Sequence, residues 1–129
     1  MSNRQKILIV DDDREIVLGT TLRLRWAGYD ALGASNGREG IAAARLQHPD
    51  ATILDVRMPE MDGLEMIREL KDHEETRNIP VVMLSASLRD KRRALDAGAR
   101  FFLTKPCRSA DLLEAVTAAI SEPGAFSEN

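Results

Sequence analysis

The sequence predicts an α/β domain in which a five-stranded parallel sheet is covered by helices on both faces. Three observations predict it. Ile7-Leu8-Ile9-Val10 and Val81-Val82-Met83-Leu84 are apolar runs without alternation, as strands buried on both faces require. Strand-like segments alternate with segments whose apolar residues recur at helical spacing, five times over. The connections between them are short, and 129 residues suffice for one domain.

The elements follow in order. Ile7 to Val10 form the first strand, closed by Asp11, Asp12 and Asp13. Residues 14 to 27 carry Ile16, Thr20, Leu24 and Ala27 along one helical stripe, and Gly28 stops them. Tyr29 to Ala34 form a short second strand. Asn36-Gly37 turns the chain into an Ala-rich helix, Arg38 to Gln47. Thr52-Ile53-Leu54 is the core of the third strand and ends in Asp55. The loop Val56 to Asp62 contains Pro59. Gly63 to Asp72 is a helix with Leu64, Ile67 and Leu70 on one side. The fourth strand ends in Ser85, and Leu88 to Ala97 is a helix closed by Gly98. Phe101 to Thr104 form the fifth strand, Lys105-Pro106 follow, and Arg108 to Ile120 are the last helix. Residues 1–121 are expected to be the domain, and 122–129 a C-terminal tail or truncated linker.

Composition narrows the function classes. With 43% hydrophobic and 30% charged residues, the chain is of the folding, not the disordered, kind. A net charge of −3 makes the domain a poor nucleic-acid binder, so no direct nucleic-acid contact is expected. Cys107 is the only cysteine, which excludes an intrachain disulfide. The apolar N-terminal stretch is too short for a signal peptide or a membrane span. The expected location is therefore the cytoplasm, without membrane association.

In an open parallel sheet, ligands bind at the carboxyl ends of the strands. The first strand delivers Asp11 and Asp12 to that edge, the third Asp55, the fourth Ser85 and the fifth Lys105. Singly, each has an ordinary structural role: an Asp or Ser caps a helix, a lysine is solvated. Together they do not. Three carboxylates at one edge repel and resist ionisation. The usual remedy is a hard divalent cation such as Mg²⁺, which takes oxygen ligands. Lys105 adds a second compensating charge. Such a set suits a phosphoryl group: cation and lysine neutralise its oxygens, the hydroxyl donates to one, and a carboxylate can attack phosphorus.

The sequence resembles the response-regulator receiver domains of two-component phosphorelays, from about Lys6 to Ile120. The resemblance rests on Ile7-Leu8-Ile9-Val10-Asp11-Asp12-Asp13, on Leu54-Asp55-Val56-Arg57-Met58-Pro59-Glu60-Met61-Asp62-Gly63, on Leu84-Ser85-Ala86 and on Lys105-Pro106, in that order. It implies a flavodoxin-like doubly wound sheet of order 2-1-3-4-5, an order the family is known for. It implies that Asp55 is the phosphoacceptor. It implies Mg²⁺ held by Asp12, Asp55 and the backbone carbonyl of Arg57, with Asp11 acting through a water. Lys105 would contact the phosphoryl oxygen. Ser85 would move toward the phosphoryl group, and Phe102 would turn inward on activation. Ala86 and Pro106 would support them, with Lys105-Pro106 a cis bond. The donor would be a phosphohistidine on a histidine kinase or histidine phosphotransfer protein. The output would pass through the fourth helix, fifth strand and fifth helix to a partner or to an effector domain outside this chain. Such a domain is a switch and not a turnover enzyme.

Some positions depart from the commonest family pattern. Phe102 stands where Tyr is frequent, and Cys107 where Phe commonly follows Lys-Pro. Cys107 is either redox-active or a small buried apolar substitute. Arg57 either shields the phosphoryl group or points to solvent. Arg89, Lys91, Arg92 and Arg93 make the fourth helix basic, either as a solvated face or for an acidic partner. Leu18 and Leu22 lie one turn apart, off the main stripe of the first helix, where a partner could dock. His48 and His73 read as solvated helix ends.

The alternative is an enzyme. Asp11-x-Asp13 after an apolar strand also resembles the haloacid-dehalogenase-type phosphatases, with Asp11 as nucleophile and Asp13 as acid–base. That alternative leaves Met58 to Gly63 unexplained. A non-phosphorylated interaction module on the same fold would usually lack one of the acidic, hydroxyl or lysine residues. A dinucleotide-binding domain would need a Gly-rich turn after the first strand, which is missing.

Overall fold

In the computed structural model, which describes residues 4–121, five β-strands alternate with five α-helices. They are β1 (Lys6–Val10), α1 (Arg14–Trp26), β2 (Asp30–Ala34), α2 (Gly37–Gln47), β3 (Ala51–Asp55), α3 (Gly63–Asp72), β4 (Val81–Ser85), α4 (Lys91–Ala97), β5 (Phe101–Thr104) and α5 (Ser109–Ser121). A 3₁₀ turn, Leu88–Asp90, leads into α4. The sheet is parallel throughout, in the order β2-β1-β3-β4-β5. The expected tail lies outside the described residues.

Continuous apolar strands are needed because both sheet faces are covered, and successive side chains point to opposite faces. Leu8, Val10, Leu54 and Met83 pack on the face covered by α2, α3 and α4, with Leu64, Met66, Ile67 and Leu70 of α3. Ile7, Ile9, Ile53 and Leu84 pack on the other, against Leu24 of α1 and Leu112 and Val116 of α5. β3 and β4 are buried along their whole length. β5, at the sheet edge, is only half-buried.

Local chemistry sets the element ends. Asp13 caps α1, accepting from the backbone N–H groups of Glu15 and Ile16. Asp62 and Glu65 form a reciprocal capping box at the start of α3. Gly98 closes α4 in the left-handed region at φ 116°, where an L side chain is strained. The helix expected over Leu88 to Ala97 is divided. The Ser87 side chain caps Arg89, and the carboxylate of Asp90 makes no helix cap because it turns into the protein.

The outer stripe of α1 carries Leu18, Leu22 and Trp26, with Trp26 90% exposed at the helix end remote from β1's carboxyl edge. No helix among the described residues is long and apolar enough to cross a membrane.

Candidate functional site

Strand register assembles the site. Val10 pairs with Leu54, and Asp55 with Leu84. The residues that follow, Asp11 and Ser85, therefore emerge beside Asp55 at one edge. Ser85 pairs with Thr104, and the next amide, Lys105 N–H, donates to the Ser85 carbonyl at 2.8 Å. All five strand-end residues expected there are thus present on neighbouring strands.

Asp11 and Asp55 are buried, at 3% and 6% exposure, while Asp12 is exposed. One carboxylate oxygen from each of the three lies within 4.8 Å of the others. Lys105 Nζ sits 2.9 Å from Asp11 Oδ2 and 3.2 Å from Asp55 Oδ1. Burial pushes the Asp55 carboxyl above the usual carboxylate range. The Asp11 charge adds to that push, and Lys105 partly offsets it. Burial disfavours the charge on Lys105 as well, but its bond to Asp11 and the charge of Asp55 outweigh this and hold the ammonium above its ordinary value.

A set of three carboxylates compensated by one lysine carries an excess of negative charge and offers only hard oxygen donors. These residues fit a divalent cation of the Mg²⁺ kind. Asp12, being exposed and without a bond to Lys105, is the carboxylate most open to it.

The two buried carboxylates are not equivalent. Both oxygens of Asp11 are engaged, Oδ1 by the Asp13 N–H at 2.9 Å and Oδ2 by Lys105. Asp55 uses Oδ1 toward Lys105, and among the described residues nothing donates to its Oδ2. Asp13 is spent on the α1 cap, with Oδ1 at 2.9 Å from Glu15 N and 3.3 Å from Ile16 N. It is therefore not placed as the acid–base that a phosphatase built on Asp11 would need.

The loop after Asp55 is tied down at both ends. Val56 N–H donates to Leu84 O at 2.9 Å, and Gly63 N–H to Val56 O at 2.8 Å. A Cβ on Gly63 would stand 2.3 Å from the Asp55 carbonyl oxygen, so only glycine permits this closure.

Ser85 is fully buried, and its hydroxyl is bonded to Asp90 and not to Asp55. It donates to Asp90 Oδ2 at 2.5 Å and accepts from Ser87 N–H at 3.0 Å. Arg57 neither covers the acidic cluster nor points free into solvent. Its guanidinium forks onto Asp90, Nε to Oδ2 at 3.1 Å and Nη2 to Oδ1 at 2.9 Å. Asp90 is 1% exposed. Burial would raise its carboxyl, but the bonds from Arg57 and Ser85 outweigh it and hold it below the usual range. Sequence reasoning missed Asp90. The available signal was that it is the only acid in the stretch Arg89-Asp90-Lys91-Arg92-Arg93.

The remaining residues are placed as follows. Phe102 is half-buried and packs against the core under α2, α3 and α4. Ala86 and Pro106 are exposed, and the Lys105–Pro106 bond is cis. Cys107 is half-buried against the core under α1 and α5, and burial pushes its thiol up, away from a reactive thiolate. Leu18 and Leu22 are exposed, at 61% and 49%.

Comparison with known proteins gives one consistent answer. The family model described as "Response regulator receiver domain" matches residues 7–117. The DNA-binding dual master transcriptional regulator RpaA of Synechocystis sp. is 39% identical over 115 residues, 88% of this chain and 48% of that protein. The chain spans about half the length of the curated relatives it matches. Among solved structures, the Vibrio cholerae chemotaxis protein CheY4 superposes with a TM-score of 0.84 at 31% identity, covering 90% of this chain and 98% of that one. The receiver domain of the sensor histidine kinase PA1611 from Pseudomonas aeruginosa PAO1, solved with a magnesium ion coordinated in its active-site cleft, superposes with a TM-score of 0.85 at 30% identity over 92% of this chain and 98% of that one.

Proposed function

The chain belongs to the response regulator receiver domains of two-component systems, phosphorylation-dependent signalling switches, and we propose that Asp55 is its phosphoacceptor. The observation that carries this is the free Oδ2 of a buried carboxylate whose other oxygen is held by Lys105. Both oxygens of Asp11, by contrast, already accept a hydrogen bond within the protein.

In the proposed reaction Asp55 Oδ2 attacks the phosphorus of a phosphohistidine on a histidine kinase or histidine phosphotransfer protein. The P–N bond breaks, its electron pair leaves with the imidazole nitrogen, and an acyl phosphate forms on Asp55. Asp12, Asp55 and the Arg57 carbonyl would hold Mg²⁺, with Asp11 reaching it through a water. That cation would neutralise charge on the carboxylates and phosphoryl oxygens. Lys105 orients Asp55 by its 3.2 Å contact and supplies a cation at the oxygens of the incoming group. Ser85 lies on the adjacent strand and can turn to donate to a phosphoryl oxygen.

Phosphorylation turns a group of charge −1 into one near −2 with more acceptor oxygens. That favours the arrangement in which Ser85 donates to it and Phe102 moves further into the core, a shift of population between two packings. The altered face would be α4, β5 and α5, where Leu88 and Leu95 are exposed beside Arg89, Lys91 and Arg92. The output is a partner protein or an effector domain beyond residues 1–121, with 122–129 as tail or linker, and the setting is cytoplasmic. The domain makes one acyl phosphate and stops, unlike an enzyme turning over an external substrate.

The test is acetyl phosphate with Mg²⁺ followed by intact mass. One added phosphoryl group is expected on the wild type, and none on Asp55→Asn or without Mg²⁺. The same adduct on Asp55→Asn removes Asp55 from this role.

A further inference from the structure

We propose that Asp90 is a positioning residue that holds the Ser85 hydroxyl away from the phosphoryl site, and that Arg57 keeps Asp90 paired when Ser85 leaves it. The proposal rests on the assignment of Asp55 as phosphoacceptor. It comes from three side chains on three separate segments: Ser85 at the end of β4, Asp90 in the 3₁₀ turn, and Arg57 in the loop after β3.

A serine hydroxyl has one proton to donate. Here Ser85 gives it to Asp90 Oδ2 at 2.5 Å, a short bond to an acceptor that is 1% exposed. Hydrogen bonds to charged acceptors are among the strong ones. A phosphoryl oxygen on Asp55 would need the same proton, so the two acceptors compete for one donor. Ser87 N–H, 3.0 Å from Ser85 Oγ, reinforces the present orientation because a rotated hydroxyl loses it.

Arg57 decides what this exchange leaves behind. A buried carboxylate stripped of its only partner is heavily penalised. Asp90 is not so stripped, because Arg57 contacts both of its oxygens, at 3.1 and 2.9 Å. Arg57 itself remains largely exposed, so its guanidinium can follow Asp90 if the 3₁₀ turn shifts. A cleft lined by Val56, Met58, Pro59 and Arg93 opens beside the pair and gives it room. The path from site to surface is then short: Asp90 immediately precedes Lys91, the first residue of α4.

The experiment uses beryllofluoride with Mg²⁺, a phosphoryl mimic, titrated into the protein and followed by amide NMR. Asp90→Asn keeps shape and removes the charge, and Asp90→Ala removes the acceptor. Both are expected to bind the mimic more tightly than wild type, on the order of ten-fold for the alanine variant. In a Ser85→Ala background the same substitutions are expected to change affinity by less than about two-fold, because the contested proton is gone. In the wild type, the Ser87 amide proton is expected to move upfield on binding, as it loses Ser85 Oγ. Unchanged or weaker binding by folded Asp90→Asn, an equal gain without Ser85, or an unmoved Ser87 amide overturns the proposal. Failure of the Asp55 assignment looks different: the wild type does not bind the mimic, or Asp55→Asn binds it as well.

Discussion

Lys105 bridges two buried carboxylates and stands nearer to Asp11, at 2.9 Å, than to Asp55, at 3.2 Å. One cation thus serves two anions, and removing it leaves both uncompensated. Lys105→Met is expected to lower stability by about 3 kcal/mol, within the range for breaking a buried ion pair. Urea denaturation without divalent cation measures it, and Mg²⁺ should restore part of the loss.

Asp55→Asn should stabilise the fold. Burial and the neighbouring Asp11 raise the Asp55 carboxyl in the folded state. The unfolded chain then accommodates the charge better, and the penalty on folding is fully present above the folded-state value. It is relieved as pH falls through that value and the carboxyl takes up its proton. The asparagine variant is therefore expected to be more stable than the wild type at neutral pH without metal, because it never carries the penalised charge. Thermal melts over a pH series should show the advantage shrinking in mild acid.

Mg²⁺ should raise the melting temperature reversibly. A ligand that binds only the folded state at one hundred times its Kd adds about 2.7 kcal/mol. Asp12 is exposed, so Asp12→Asn should leave the metal-free melt nearly unchanged and remove most of the Mg²⁺ response. A variant that responds as wild type does would take Asp12 out of the ligand set.

Gly63→Ala should damage both fold and site. Its Cβ would meet the Asp55 carbonyl oxygen at 2.3 Å and the Val56 Cα at 2.9 Å, and both are backbone atoms. Overpacking of this kind costs about 1–3 kcal/mol. Because the strained atom belongs to Asp55, phosphorylation by acetyl phosphate should slow as well, which the rate of mass increase would show.

Thr52→Val should be neutral to stabilising, by about 1 kcal/mol. Thr52 is completely buried in β3, and its Oγ1 is the only buried side-chain polar atom without a partner among the described residues. Valine keeps the shape and removes the unpaired oxygen. A chemical denaturation midpoint below that of wild type would show that the hydroxyl is satisfied after all.

The fold was legible because its strongest signals are local. Four-residue apolar runs mark strands that cannot face water, and the acids that end them mark the edge they deliver to. The α3 boundaries, Gly63–Asp72, match the expectation drawn from Leu64, Ile67 and Leu70 along one side, and the Asp62–Glu65 capping box fixes the start. The cluster of Asp11, Asp12, Asp55 and Lys105 was legible for the same reason, since each follows directly from a strand end. Asp90 was not. Among four cations it reads as part of a solvated face, and only the fold carries it beneath Ser85 and Arg57. The direction of Arg57 was hidden likewise, since its partner lies 33 residues away. The division of the fourth helix follows from the same inward turn of Asp90.

Trp26 is the chain's single tryptophan and lies 90% exposed at the far end of α1. A helix of 13 residues is roughly 20 Å long, so the indole sits about that far from the acidic edge where the helix begins. Intrinsic fluorescence of this protein therefore reports on water at the opposite pole, and its emission is set by solvent before any ligand arrives. Titrations of metal or phosphoryl mimics followed by that signal would look silent even at saturation. An optical assay needs a reporter placed beside β4 or β5, and the native indole then becomes useful in another way, as a sensor of whatever covers the outer stripe of α1.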